Sequence, residues 1–74
     1  MEIAVAFGKV IRSLRIKSGL TQEELGLDAD VRRTFVSVLE LGQQQPSLTT
    51  IIKLSKPLGV TASEIVAMVE VLLD

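Results

Sequence analysis

Cysteine and histidine are both absent from the 74-residue sequence. Their absence excludes disulfide bridges and the zinc sites that thiolate and imidazole ligands usually build. So short a chain predicts one domain over residues 1–74, near the lower size limit for a self-sufficient core. Because 47% of the residues are hydrophobic, we expect part of the apolar surface to be buried against a second copy of the chain.

Membrane-targeting features are equally scarce. Glu2 stands where a secretory signal would carry positive charge, and the apolar run that follows it is short. Glu64 and Glu70 interrupt the apolar C-terminal region, so no apolar run is long enough to span a bilayer. Together with the lack of cysteine, these features predict a cytoplasmic protein without a membrane partner.

An overall excess of positive charge, the usual mark of nucleic-acid binding, is missing too, since the net charge is −1. The charges are unevenly distributed, however. All eight lysines and arginines precede Pro57, together with six acidic residues, so residues 1–56 carry +2. The last 18 residues carry three acidic residues and no cation. This asymmetry allows a basic face at one end of the molecule and a non-binding face at the other.

Groups that could support catalysis are few. The sequence lacks a glycine-rich phosphate loop and a carboxylate pair set in a cleft, in addition to histidine and cysteine. Asp28 and Asp30 are close in sequence, but at a turn they are more simply solvated or capping residues. The sequence therefore predicts a protein that is not an enzyme and needs neither a metal nor a cofactor.

Helix start and stop signals predict an all-α fold with five short helices. The first helix has an apolar face and is followed by Gly19 as its C-cap. Thr21 and Glu24 form a capping-box pattern, which opens a second helix that runs to about Ala29, with Asp30 in the turn. The apolar face of the first helix consists of Ile3, Phe7, Val10, Ile11 and Leu14.

The remaining three helices follow from similar signals. The third is predicted over Arg33–Leu41, before a glycine. Ser47 caps the fourth, which is expected to end or kink at Pro57, because proline cannot donate a backbone hydrogen bond. A second capping box, Thr61–Glu64, opens the fifth helix over about residues 62–73. The face predicted for the fourth helix carries Leu48, Ile51, Ile52 and Ser55.

Two adjacent arginines, Arg32 and Arg33, stand at the start of the third helix, where the helix dipole favours negative charge. In the major groove of DNA, arginine can bond guanine, hydroxyl groups can bond several bases, and apolar groups can contact the thymine methyl. The arginines therefore fit a helix whose N-terminus points into a groove, although such a pair alone is more often just solvated. The outward arc of this helix carries Arg33, Thr34, Ser37, Val38 and Leu41, opposite the apolar Phe35, Val36 and Leu39.

Residues 21–42, TQEELGLDADVRRTFVSVLELG, resemble the helix-turn-helix of the Cro/CI-type, or XRE, family of phage repressors. The segments FGKVIRSLRIKSGLTQEEL, QPSL and LGVTASEI extend the resemblance over most of the chain. The resemblance implies a lambda-repressor-like domain whose helices 2 and 3 form the helix-turn-helix. It also implies that the partner is double-stranded DNA.

The resemblance further implies roles for individual residues. The base-reading positions are Arg32, Arg33, Thr34, Ser37 and Val38. The positions expected to contact phosphates are Arg12, Gln22, Gln43, Gln44 and Gln45. Arg15 and Glu40 are expected to form a largely buried ion pair that fixes the recognition helix. Gly26 and Asp30 replace the usual Ala and Gly, and we expect both to loosen the helix-turn-helix. For the mid-helix glycine the expected loss of stability is about 0.5–1 kcal/mol.

Apolar residues of the fifth helix exceed what the core requires. One stripe, Ile65, Met68, Val69 and Leu72, can complete the core. The predicted dimer interface consists of Val66, Val69, Val71 and Leu73. A two-fold dimer would place two recognition helices about 34 Å apart on a palindromic operator. The alternative is an apolar tail that frays.

The leading hypothesis is a homodimeric, DNA-binding transcriptional regulator. Phage repressors, restriction–modification controllers and antitoxins all remain open, as does the choice between repression and activation. Glu23 and Glu24 lie where some activators contact RNA polymerase, although solubility explains them equally well. The acidic balance, the neutral glutamine loop and Asp30 favour an alternative, a protein-interaction module of the same fold with weak or lost DNA binding.

Overall fold

The computed structural model describes residues 1–73, and five α-helices are the only regular elements in that range. They are α1 (Ile3–Lys17), α2 (Gln22–Ala29), α3 (Arg33–Glu40), α4 (Leu48–Leu58) and α5 (Ala62–Leu73). The predicted all-α class with five short helices is confirmed.

Side-chain caps define three of the helix starts, as the sequence predicts. At α2 the Glu24 amide donates to Thr21 Oγ1 at 3.0 Å, and the Thr21 amide donates to Glu24 Oε1 at 2.9 Å. Thr61 and Glu64 repeat this reciprocal pair at α5, at 3.0 and 2.8 Å. Ser47 accepts a hydrogen bond from the Thr50 amide at the start of α4. The start of α3 has no such cap, because Arg32 stands at that position.

The turn between α2 and α3 depends on two residues with unusual backbone requirements. Asp30 takes the predicted left-handed conformation, with φ of 58°. The prediction that Gly26 loosens the helix-turn-helix is wrong. A Cβ atom at Gly26 would lie 2.8 Å from the Val31 carbonyl oxygen and 3.2 Å from the Arg33 nitrogen. The backbone entering α3 therefore passes directly over Gly26, and alanine would push it away.

Two helix ends differ from the prediction. The helix α3 ends at Glu40 rather than Leu41. The helix α4 continues one residue beyond Pro57, to Leu58. Proline at this point removes a single backbone donor from the last turn, and the chain then leaves through Gly59, whose φ is 72°.

Each helix contributes a fully buried side chain to one core. Those with the largest volumes are Ile11, Leu25, Leu39, Leu54, Ile65 and Val36. Three apolar side chains assigned to the inward faces are instead exposed: Ile3, Leu48 and Ile52. The inward face of α4 is rotated toward Leu54 and Leu58, both of which are buried.

The helix α5 also corrects the predicted dimer interface. Val69 is only 7% exposed and belongs to the core together with Ile65, one helical turn earlier. Met68 and Leu72, predicted to lie in the core, are exposed instead. The other predicted interface residues, Val66, Val71 and Leu73, are exposed. None of the helices described is long and apolar enough to cross a membrane.

Candidate nucleic-acid interface

The outward side of α3 is open to solvent where the arginines lie. Arg32, Arg33 and Thr34 are exposed, whereas Ser37 and Val38, one turn further on, are half-buried. The opposite side of the helix is anchored by side chains that are fully buried, including Val36 and Leu39. The N-terminal turn of α3 is therefore its most exposed part and carries both arginines.

A buried ion pair fixes the other end of α3 against α1. Arg15 Nε donates to Glu40 Oε2 at 2.6 Å, and Arg15 Nη2 donates to Glu40 Oε1 at 3.0 Å. The two side chains are only 13% and 4% exposed. This two-pronged geometry matches the planar guanidinium to the carboxylate and restricts both side chains to one arrangement.

The same pair is the centre of a small hydrogen-bond network. Arg15 Nη1 donates to the Leu20 carbonyl at 2.9 Å, and Gln22 Nε2 donates to Glu40 Oε1 at 3.0 Å. The hydrogen bond to Glu40 raises the pKa of Arg15 above its ordinary value, which outweighs the opposing effect of burial. The guanidinium therefore stays charged, and α1, α2 and α3 are tied together at one carboxylate.

A close backbone contact, which the sequence analysis missed, also positions α3. A Cβ atom on Gly8 would overlap the carbonyl oxygen of Leu39 and would lie 2.7 Å from that of Glu40. Glycine at this point lets α1 touch the last turn of α3 directly. The signal was present in the sequence, because an isolated glycine inside an apolar helix pattern often has a packing reason.

The predicted phosphate-contacting residues are exposed, with one exception. Arg12 and the three glutamines of the loop, 43–45, are exposed. Gln22 is half-buried, and its amide group is engaged with Glu40. A shallow depression of about 380 Å³ is lined by both Gln22 and Arg33. The structure thus brings the start of α2 and the start of α3 to one surface.

Comparison with known proteins places this geometry in a family. A sequence model described as helix-turn-helix matches residues 11–65, which include α2, the turn and α3. The chain belongs to the Cro/CI-type, or XRE, family of helix-turn-helix proteins. In this family α3 is the recognition helix. The chain is accordingly a DNA-binding regulator of transcription and not an enzyme.

Several relatives are similar over most of their length. The chain is 39% identical to the control protein C.BamHI of Bacillus amyloliquefaciens over 64 residues, which cover 85% of this chain and 79% of the relative. It is 36% identical to the control protein C.MunI of a Mycoplasma species over 70 residues, which cover 93% of this chain and 95% of the relative.

Solved structures agree in fold. The restriction–modification controller protein C.AhdI of Aeromonas hydrophila superposes with a TM-score of 0.81 at 37% identity, covering 84% of this chain and 94% of that one. The clp gene regulator ClgR of Corynebacterium glutamicum superposes with a TM-score of 0.92 over 99% of this chain and 78% of its own. Its identity is 23%, so this likeness concerns the fold alone.

Proposed function

We propose that this chain is a homodimeric regulator of the controller type, which reads a palindromic operator by inserting its recognition helix into the major groove. The observation that carries the proposal is the N-terminal turn of α3, where Arg32, Arg33 and Thr34 are exposed to solvent. The buried Arg15–Glu40 pair holds that helix in place from behind. An operator is intracellular DNA, so we place the protein in the cytoplasm.

Sequence would be read chiefly by the side chains nearest the tip of the helix. Arg33 can donate two hydrogen bonds to O6 and N7 of guanine. Thr34 and Ser37 can each donate or accept, and the Val38 side chain can contact a thymine methyl group. Because Ser37 and Val38 are half-buried, they would contact only bases that approach the helix closely. Arg32, at the cap position, can reach a base or the flanking phosphate.

Phosphate contacts would fix the orientation of the domain on the duplex. Arg12 and Gln43, Gln44 and Gln45 are exposed and can serve this purpose. At Gln22 one N–H of the side-chain amide donates to Glu40. Its other N–H and the backbone amide at the start of α2 can donate to a phosphate. Since the loop is neutral, we expect a shallower salt dependence than a lysine-rich loop would produce.

The homodimer would form through the exposed side of α5. Val66, Val71 and Leu73 are exposed on this helix, and Val71 retains 71% of its accessible surface. Exposed apolar side chains that form a patch usually mark an interaction surface. A two-fold axis through α5 would present two copies of α3 to successive major grooves, about 34 Å apart.

The controller role is favoured by the relatives that match over most of their own length. Among them are the control proteins C.BamHI and C.MunI, together with C.AhdI among the solved structures. The transcriptional repressor RstR of Vibrio cholerae is 37% identical, but the alignment covers only 61% of it. We therefore favour a controller over a phage repressor.

Replacing Arg33 by alanine tests the base-reading role. We expect the affinity for the operator, obtained by selection from a random DNA pool, to fall by about 5- to 150-fold per half-site, with relaxed preference at one base pair. Folding should be unaffected, because Arg33 is exposed. Mobility-shift titrations at two salt concentrations measure both effects.

Lys56→Ala provides the matched control, since Lys56 is an exposed cation on α4. At most it should weaken binding to all sequences equally. If Arg33→Ala bound the selected operator as the Lys56 variant does, with unchanged sequence preference, Arg33 would not read bases.

Contact with RNA polymerase, if the protein activates, would fall on Glu23. Both Glu23 and Glu24 are exposed, but the Glu24 carboxylate closes the capping box of α2. Glu23→Gln is therefore expected to reduce activated transcription severalfold, while operator affinity stays within about twofold. Transcription in vitro from an operator-bearing promoter, alongside mobility shifts, separates the two effects. Unchanged activation by this variant would exclude the contact.

A further inference from the structure

A groove of about 420 Å³ runs between α1 and α5. On the α5 side it is lined by Met68 and Leu72. Both of these side chains are 37% exposed, so the fold leaves them in contact with water. The apolar lining of the groove consists of Val10, Leu14, Met68 and Leu72. The groove is therefore formed by α1 and α5, and no residue of α3 lines it.

Cations border this apolar groove. Lys9 and Lys17 both line it, and both are exposed. Neither belongs to an ion pair within residues 1–73. They are eight residues apart on α1, which corresponds to about 12 Å along the helix axis. An apolar helix that also carries negative charge would match this arrangement of an apolar floor and a basic rim.

The chain itself supplies such a helix. We propose that the groove receives α5 of a second copy, and that Lys9 and Lys17 pair with acidic side chains of that helix. Glu64 and Glu70 lie on α5, and no cation follows Lys56 in the sequence. In a two-fold arrangement each copy would give its α5 and receive the other. This inference rests on the proposed homodimer and specifies its geometry.

The small size of α5 supports a contribution of α1 to the dimer interface. A helix of 12 residues is about 18 Å long and roughly 10 Å wide, so its footprint is on the order of 200 Å². Stable interfaces bury about 800 Å² per partner. The exposed Val71 lies one helical turn from Met68, which lines the groove. The groove adds the flank of α1 to the surface that a second copy can cover.

Charge reversal tests the proposal by sedimentation equilibrium of the full chain. For the Lys9→Glu/Lys17→Glu variant we expect the dimer dissociation constant to rise by about tenfold or more. Each substitution replaces an attraction between the two copies by a repulsion, and two-fold symmetry makes every such change occur twice. Adding Glu70→Lys to the same chain should recover most of the loss. Glu64 is left unchanged, because its carboxylate caps α5 through the Thr61 amide. The effect should shrink at high salt.

Lys53→Glu/Lys56→Glu is the control, since it makes the same change of charge on α4. If the wild type dimerises and the Lys9/Lys17 reversal weakens it no more than this control, the groove is not part of the interface, and the homodimer still stands. A failure of Glu70→Lys to recover affinity also contradicts the proposal. A wild-type chain that stays monomeric at every concentration overturns both the groove assignment and the homodimer.

Discussion

Arg15→Met is expected to lower the free energy of unfolding by about 3–5 kcal/mol, because it leaves the Glu40 carboxylate buried without its cation. Glu40 is 4% exposed, so water cannot replace the lost partner. The expected loss is a large part of the total for a domain of this size, which is about 4–11 kcal/mol. Urea denaturation at equilibrium measures the change through the transition midpoint.

A double-mutant cycle distinguishes the ion pair from general damage. Glu40→Met should cost a similar amount, since it leaves the guanidinium unpaired. The combination of both substitutions should cost much less than the sum, because an apolar pair can replace a buried ion pair nearly neutrally. Arg12→Met, an exposed change on the same helix, should stay within about 0.5 kcal/mol. A loss for Arg15→Met no greater than for Arg12→Met would mean that the pair does not stabilise the fold.

Should Arg15→Met unfold the chain completely, Arg15→Lys gives a milder comparison. Lysine keeps the charge but cannot reproduce the two-pronged hydrogen bonding at 2.6 and 3.0 Å. We expect an intermediate loss of about 1–3 kcal/mol, with the fold retained. The order wild type, lysine, methionine should therefore hold in the denaturation midpoints.

Gly8→Ala is the second substitution with a large expected effect. The added methyl group would overlap the backbone carbonyl oxygens at the end of α3. Backbone atoms cannot turn aside as a flexible side chain can, so α1 and α3 must separate. We expect a loss of about 1–3 kcal/mol of stability from overpacking, and a larger loss for Gly8→Val. Thermal or urea denaturation measures both.

The sign of the Gly8 effect is decisive, because helix propensity favours the opposite outcome. In the middle of a helix, alanine is about 0.8–1.0 kcal/mol more favourable than glycine. An increase in stability for Gly8→Ala would therefore show that the contact with α3 is not close. Since the contact also sets the position of the recognition helix, the operator affinity of the folded variant should fall as well.

Local signals were enough to predict the helices and the turn. Reciprocal Thr–Glu pairs mark the starts of α2 and α5 because both partners lie within four residues of each other. Asp30 was predicted as a turn residue since its short polar side chain tolerates the left-handed region. The outward side of α3 follows from helical period, because Phe35, Val36 and Leu39 cluster on one side of the helical wheel. The arc opposite to that cluster carries Arg33, Thr34 and Ser37.

The remaining features depend on distances between helices, which no local pattern contains. Val69 was assigned to the dimer interface although it lies one turn from Ile65 and shares its buried direction. Gly8 matters because the end of α3, distant in sequence, packs against it. Gly26 matters because the chain entering α3 folds back over it. The Arg15–Glu40 pair, 25 residues apart, was expected only through family resemblance. By helical period alone, Arg15 lies at the edge of the apolar stripe of α1, and Glu40 lies at the edge of that of α3.

The most direct measurement of the central claim is an amide correlation spectrum of the protein recorded during titration with the selected operator duplex. If the exposed turn of α3 enters the major groove, the largest shift changes will fall on Arg33, Thr34 and Ser37, with further changes at the start of α2. Shift changes confined to α5 and α1, with the amides of α3 unmoved at saturation, would contradict it.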